Sequence, residues 1–292
     1  MAAIRKYWAP ETLKEALHVL AAKDAAPLAG GTDLVSRWTK GLAARPKIVV
    51  DLKHVAGLRG VRRRNGSIRI GACTPLSEIA ADATIRYFEA PVLAKAADRV
   101  ACPQIRNRAT IGGNLCNASP AADTAIPLIL LDAVLWLTSC GPNGIWTREV
   151  PITEFFRGPG LTIRRTGEIL TQIQFKLQPE DAFIAWDKFG TRRAMEIAIA
   201  SVGVALWVEG GVVVDARVGY GSVAPVPLRG RQAEAQLVGK LLSSEVIGKC
   251  VDAAREEIAP ITDVRASEAY RREVVGVMLR RMLERARPDR QT

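Results

Sequence analysis

Two stretches carry residue types that could hold a phosphate. The first is Leu28-Ala29-Gly30-Gly31-Thr32-Asp33-Leu34, and the second is Thr110-Ile111-Gly112-Gly113-Asn114-Leu115, inside Arg106 to Asp123. Each sets a Gly-Gly pair behind or beside a threonine. Glycine adopts positive φ and lets another group approach the main chain closely. Two glycines in a turn can aim successive N–H groups into one concavity, a nest for an anion, and Thr and Asn add hydroxyl and amide donors. The expectation is therefore two phosphate-contacting loops closing on one pyrophosphate; an ordinary Gly-Gly turn is the plain alternative for either alone. Neither is a P-loop, since no Gly-Lys-Ser/Thr follows, and neither has the dinucleotide-fold spacing. Asp33 could cap a helix starting at Leu34. Asp123 could accept hydrogen bonds from a ligand or, equally, cap a helix before Ile126.

The elements around these stretches read as two lobes and a further domain. Residues 1–55 read as a small α/β lobe. Leu13, Ala16, Leu17 and Leu20 line one face of a helix, a short strand at Pro27-Leu28 delivers the first loop, and Ile48 to Leu52 is a strand. Residues 56–177 read as a larger lobe. Arg62-Arg63-Arg64-Asn65-Gly66 is expected at a hairpin tip, and Ser67 to Ala72 continues it. Pro75 opens a short helix. Phe88 to Val100 is expected to be a helix with Val92, Leu93, Ala96 and Ala97 inward. Ala133 to Thr138 and Ile169 to Phe175 read as strands.

At Gln178-Pro179-Glu180-Asp181 the chain turns polar, which sets the expected boundary between domains 1–177 and 178–288. The second reads as strands (183–189, 198–208, 212–218) followed by helices (233–241, 244–258 and one from about Ser267). In the last helix Tyr270, Val274, Met278 and Met282 recur at i+4, with Arg271, Arg272, Arg280, Arg281 and Arg285 on other faces. Gly219-Tyr220-Gly221-Ser222-Val223-Ala224 matches the letters GxGxxA. Pro225 and Pro227 stand where its helix should begin, so it is not expected to hold a dinucleotide.

Composition narrows the classes. Hydrophobic content of 48% with 24% charged residues is a globular balance. Five cysteines without a CxxC argue against a structural zinc or ferredoxin-type site and fit reduced thiols. Two histidines, His18 and His54, stand beside no catalytic constellation. A net charge of +11 admits nucleic acid or an acidic protein as partner. The basic residues are dispersed and aromatics are only 5%, which argues against nucleic acid. The N-terminus lacks a signal-peptide core, and the longest apolar run, Ile197 to Val208, falls short of the ~20 residues that span a bilayer. A cytoplasmic protein without a transmembrane segment is expected.

Taken together, "LAGGTDL" and "IRNRATIGGNLCNASPAADT", with "KFGTRRAMEIAIASVGVAL" and "SEAYRREVVGVMLRRMLERA", resemble the FAD-binding medium subunit of the molybdenum hydroxylases, the xanthine dehydrogenase and carbon monoxide dehydrogenase family. The resemblance runs through most of the chain. It implies an α+β architecture: a two-lobed FAD-binding domain of the vanillyl-alcohol oxidase type, then a smaller antiparallel sheet with helices. Carried over by motif, Leu28, Ala29, Gly30, Gly31, Thr32, Asp33 and Leu34, with Thr110, Ile111, Gly112, Gly113 and Asn114, would hold the pyrophosphate. Asp123 would bind polar groups of the cofactor, and Leu115, Leu170 and Lys188 would lie against the flavin.

No histidine lies in either loop, so FAD would be non-covalent. No cysteine cluster marks the iron–sulfur insertion of 4-hydroxybenzoyl-CoA reductases. Thr32-Asp33 stand where some carbon monoxide dehydrogenase subunits have His-Ser. The implied role is electron transfer. A molybdenum cofactor on a large partner subunit would oxidise the substrate, and [2Fe–2S] clusters on a small partner would pass electrons to FAD here. They would leave to NAD+, oxygen or another acceptor, in a dimer of heterotrimers. No residue of this chain need act as catalytic acid or base. The alternative is a stand-alone nucleotide-binding module without redox function.

Overall fold

The structure is a computed structural model that describes residues 4–22, 24–142, 144–192 and 195–287. The first lobe orders β1 (Lys6–Trp8), α1 (Leu13–Leu20), β2 (Ala25–Leu28), α2 (Leu34–Thr39) and β3 (Ile48–Asp51) around a parallel sheet, β1-β3-β2. Thr12 and Glu15 close a capping box on α1, which fixes its start. Ala16, Leu17 and Leu20 then bury against Val50, Leu52, Val55 and Leu58, the face expected from their 3–4 spacing. A parallel sheet puts the ends of β2 and β3 side by side, with Leu28 opposite Asp51. The first Gly-Gly segment leaves from that edge.

The second lobe runs β4 (Val61–Arg64), β5 (Ser67–Gly71), α3 (Leu76–Ala81), a π-helical turn (Thr84–Glu89), α4 (Pro91–Asp98), α5 (Pro103–Arg106), α6 (Ile111–Cys116), α7 (Ala125–Leu130), β6 (Val134–Gly141), β7 (Gly144–Pro151), α8 (Ile152–Phe155), a minor pair β8 (Phe156–Gly158) and β9 (Leu161–Thr162), and β10 (Ile169–Lys176). Its antiparallel sheet has the order β4-β5-β10-β6-β7. Ile68, Ile70, Leu135, Leu137, Ile173 and Phe175 face the helices in one core, by period-2 alternation.

The expected helix from Phe88 starts instead at Pro91, whose missing N–H suits a first turn. Ala90 breaks the helical geometry there (φ −155, ψ 58), and Phe88 is exposed. The hairpin turn is Asn65-Gly66, both at positive φ; Arg62 to Arg64 lie on β4 rather than at the tip. Strand β7, on the outer edge, is exposed nearly throughout and carries no apolar alternation to announce it.

The last part of the chain forms β11 (Phe183–Phe189), β12 (Ala200–Glu209), β13 (Val212–Gly221) and β14 (Leu228–Arg229), an antiparallel sheet in that order, then α9 (Arg231–Leu237), α10 (Ser244–Glu257) and α11 (Glu268–Arg285). Helix α9 stops at Leu237 because Gly239 turns the chain (φ +77) and pairs with β13. The GxGxxA letters fall inside and after β13, with no helix behind them. Gly203 and Gly219 instead admit Ile126 and Leu130 of α7 against the sheet. Arg271, expected on a face of α11 other than that of Tyr270 and Val274, is buried and donates to the Ile199 and Ser222 carbonyls and to Asp263. Among the described residues no helix is long and apolar enough to cross a membrane.

Candidate functional site

A cleft of about 630 Å³ opens between the two lobes, within the range of cofactor sites. The first lobe contributes Ala26 to Leu34 and Leu52. The second contributes the ends of β5 and β10, the 100–123 stretch, Gly160 and Arg164, and Met195 to Ile197 close one side.

All of Leu28 to Leu34 line the cleft. Gly31 sits at φ +72, where an L side chain is strained. A Cβ on Gly30 would run into the Arg108 carbonyl and lie 2.9 Å from Ala109 Cα. The two Gly-Gly stretches therefore touch main chain to main chain. Among the described residues, none of the N–H groups from Gly30 to Leu34 donates to a protein acceptor. Asp33 precedes α2 as expected but makes no side-chain cap bond. Five successive donors at the wall of a cleft match an anion's needs.

The second stretch differs from its expectation. It is the first turn of α6, and neither Gly112 nor Gly113 has positive φ. Thr110 caps this turn by accepting from Gly113 N at 3.0 Å. The N–H groups of Ile111, Gly112 and Asn114 go to the carbonyls of Thr74, Ala72 and Thr110. No nest of free donors exists there. Gly112 is required for packing, since its Cβ would lie 2.6 Å from Ala72 Cβ. Thr110, Gly112, Gly113 and Asn114 do line the cleft. Ile111 and Leu115 do not; both are fully buried in the core, because their side chains point to the opposite face of α6. Thr124 donates to Asn114 Oδ1 at 2.6 Å, which turns the Asn114 amide nitrogen into a fixed donor.

Asp123 lines the cleft and is 7% exposed. It does not cap α7, whose N-cap is Thr124. Its Oδ2 accepts from Lys188 Nζ at 2.6 Å, while Oδ1 is buried with no partner. A buried acceptor without a donor is costly, and this one is available to a ligand hydroxyl or N–H. Burial pushes the carboxyl up, against the pull of Lys188 and Arg99. Lys188 also donates to the Arg99 carbonyl; it stands behind Asp123 and holds it, rather than lining the cleft. Leu170 supplies an apolar wall.

Sequence reasoning passed over the far wall. The Glu168 carboxylate accepts from Arg148 Nε and Nη2 at 2.8 and 2.9 Å and from the Arg165 N–H, and Arg164 Nη1 donates to the Glu168 carbonyl. Ala101, at φ +45, turns the chain into the cleft. The 20-residue gap between Arg148 and Glu168 hides their pairing, and an alanine at positive φ leaves no mark in sequence.

FAD needs a site for a pyrophosphate, hydroxyl acceptors and an apolar surface for its ring. The free donor run, the orphaned Asp123 oxygen and the Leu170 wall meet these needs. Among the described residues no group of three metal-type side chains is present.

Comparison with known proteins agrees. The profile described as FAD binding domain in molybdopterin dehydrogenase matches residues 2–175, and the CO dehydrogenase flavoprotein C-terminal domain matches residues 187–286. The chain is 33% identical to the xanthine dehydrogenase FAD-binding subunit of Escherichia coli O157:H7, over 96% of this chain and 95% of that one. It is 34% identical to the carbon monoxide dehydrogenase medium chain of Afipia carboxidovorans, covering 96% of each. Among solved structures it superposes on carbon monoxide dehydrogenase from Hydrogenophaga pseudoflava with a TM-score of 0.91, at 31% identity and 98% coverage of both chains.

Proposed function

The chain belongs to the FAD-binding medium subunits of the molybdenum hydroxylases, and from that membership we propose that it is the electron exit of a multi-subunit dehydrogenase. Its partners in this reading are a large molybdenum-cofactor subunit that oxidises the organic substrate and a small subunit whose [2Fe–2S] clusters deliver electrons. The acceptor is NAD+, oxygen or another oxidant, and the assembly is a dimer of heterotrimers. The observation that carries the reading is one cleft that combines five unused main-chain donors with an orphaned carboxylate oxygen.

In this reading FAD, bound without a covalent link, supplies the redox chemistry; the protein's part is binding, orientation and electrostatics. The Gly30 to Leu34 N–H groups would hold the pyrophosphate by hydrogen bonds. Asn114 Nδ2, held by Thr124, adds one side-chain donor. Asp123 Oδ1 would take a hydrogen bond from the cofactor, with Lys188 keeping the carboxylate in place. Leu170 shields one surface from water. Burial strengthens each of these contacts relative to water.

The test is a visible spectrum of the chain purified with its native partners, followed by heat release and identification of the flavin. Released FAD, together with bleaching of the flavin bands by substrate through the intact complex, is the expected result. Absence of flavin, with no uptake of added FAD by the folded complex, would overturn the reading in favour of a nucleotide-binding module.

A further inference from the structure

The arginine run on β4 has no role in the flavin cleft. In the β4–β5 pair Arg62 stands opposite Arg69 and Arg64 opposite Ser67. These side chains share the face turned away from Ile68 and Ile70, and Gln172 of β10, opposite Gly71, joins them. The 57–60 turn lies directly on this strand, because Gly71 has no Cβ to meet the Leu58 carbonyl. A second pocket of about 80 Å³ results, lined by Arg59, Arg62, Arg64, Arg69 and Gln172 over three glycines. It shares no lining residue with the flavin cleft.

Its charge is not balanced among the described residues. Arg59 is paired with Glu78 and Arg63 with Glu89. Among the described residues Arg62, Arg64 and Arg69 have no carboxylate partner and donate no hydrogen bond. Like charges directly opposite each other on a sheet destabilise it. Arg69 is held in place by Trp136, with its guanidinium 5.1 Å from the ring centre, and its Nε is buried without an acceptor. The pocket's volume equals that of roughly two or three waters, which suits one small tetrahedral group and not a nucleotide. Guanidinium forks match phosphate oxygens bidentately. Three unpartnered cations suit a dianion better than a single carboxylate.

We propose that this pocket on the outer face of the five-stranded sheet binds a phosphate-type oxyanion, free or carried as a monoester on a small molecule. The test uses the full chain with its flavin and native partners, and inorganic phosphate as the probe, in chloride buffer at fixed ionic strength. Calorimetry should give one phosphate per chain. Arg62→Gln, on an exposed strand, and Arg69→Gln should each weaken binding by about tenfold or more, with Arg69→Lys intermediate because it keeps charge but loses the fork. Lys14→Gln, an exposed cation elsewhere, should leave binding unchanged, and the flavin spectrum should be the same in every variant.

Phenyl phosphate that competes points to an ester as the natural ligand. Phenyl phosphate that fails while phosphate binds points to the free anion. No saturable binding, or binding indifferent to Arg62 and Arg69, would overturn the proposal and leave an adventitious ion only. Loss of partner subunits from Arg62→Glu without any phosphate binding would overturn it too, and would assign the patch to an acidic protein surface.

Discussion

Gly30-Gly31 and Gly112-Gly113 are the same dipeptide near a threonine, Thr32 or Thr110, in one cleft, and their main chains are used in opposite ways. The first leaves its main chain unpaired: Gly31 takes φ +72, and among the described residues the N–H groups through Leu34 meet no protein acceptor. The second spends its main chain on the protein. Its N–H groups go to Thr74, Ala72, Thr110 and the Thr110 hydroxyl, and it offers side chains instead, Asn114 and, further on, Asp123. A Gly-Gly pair thus reports that something comes close to the backbone. It does not say whether that something is a ligand or another strand.

The comparison predicts which kind of change hurts which stretch. On the second side the largest effect belongs to a side chain. Asp123→Ala strands Lys188, which is 9% exposed, without its ion partner. Breaking a buried pair costs about 3–5 kcal/mol, and the cleft loses its only orphaned carboxylate oxygen among the described residues. Flavin content should fall toward zero and the denaturation midpoint should drop; an unchanged flavin content would remove Asp123 from the site. On the first side the largest effect belongs to a glycine. Gly30→Ala forces the two stretches apart at Arg108–Ala109, an overpacking cost of about 3 kcal/mol. Gly31→Ala strains φ +72 by about 1–2 kcal/mol and tilts the donor run. Both should weaken FAD retention, Gly30→Ala more, as measured by flavin released per chain on dilution.

Acid should separate the stretches as well. Asp51, buried at the end of β3 opposite Leu28, resists burial's upward push through the Lys53 and Tyr7 donors, and its carboxyl lies below the ordinary value. Its contribution to stability is present above that ordinary value and is lost as pH falls through the lowered one. Asp123 lies on the other side: burial raises its carboxyl above the ordinary value, against the pull of Lys188 and Arg99, so on acidification it is protonated before Asp51. On acidification, flavin fluorescence released from the cleft should therefore appear at a higher pH than the loss of circular dichroism. Coincident transitions would mean that Asp123 does not hold the flavin.

The sequence alone revealed more of the frame than of the contacts. Elements with a strong period or a cap could be read directly: α1 from Leu13, Ala16, Leu17 and Leu20, the β12–β13 hairpin from Gly210-Gly211, and α11 from Ser267. Edge strand β7 could not, since its exposed residues carry no alternation. For the cleft, the spacing of glycine, threonine and asparagine brought out both stretches but made them alike. Their difference depends on where N–H groups find acceptors, and the acceptors for the second stretch, Ala72 and Thr74, lie nearly 40 residues earlier in the chain. Lys188 and Asp123, 65 residues apart, are likewise joined only by the docking of β11 against the second lobe.

The smallest predicted effect is the sharpest discriminator. Gly113 is helical, so Ala there gains about 0.5–1 kcal/mol of helix propensity. The new Cβ would lie 2.9 Å from Thr110 Oγ1. That is the terminal atom of a side chain, and displacing it weakens a cap worth about 1 kcal/mol. The two terms nearly cancel. If the second stretch serves the cleft through side chains, Gly113→Ala should leave stability within about 1 kcal/mol of the parent, by the same two terms, and keep its FAD. If it serves through a main-chain nest after all, Gly113→Ala should lose flavin as Gly31→Ala does. Flavin per chain, measured on both variants side by side, decides whether equal letters mean equal roles.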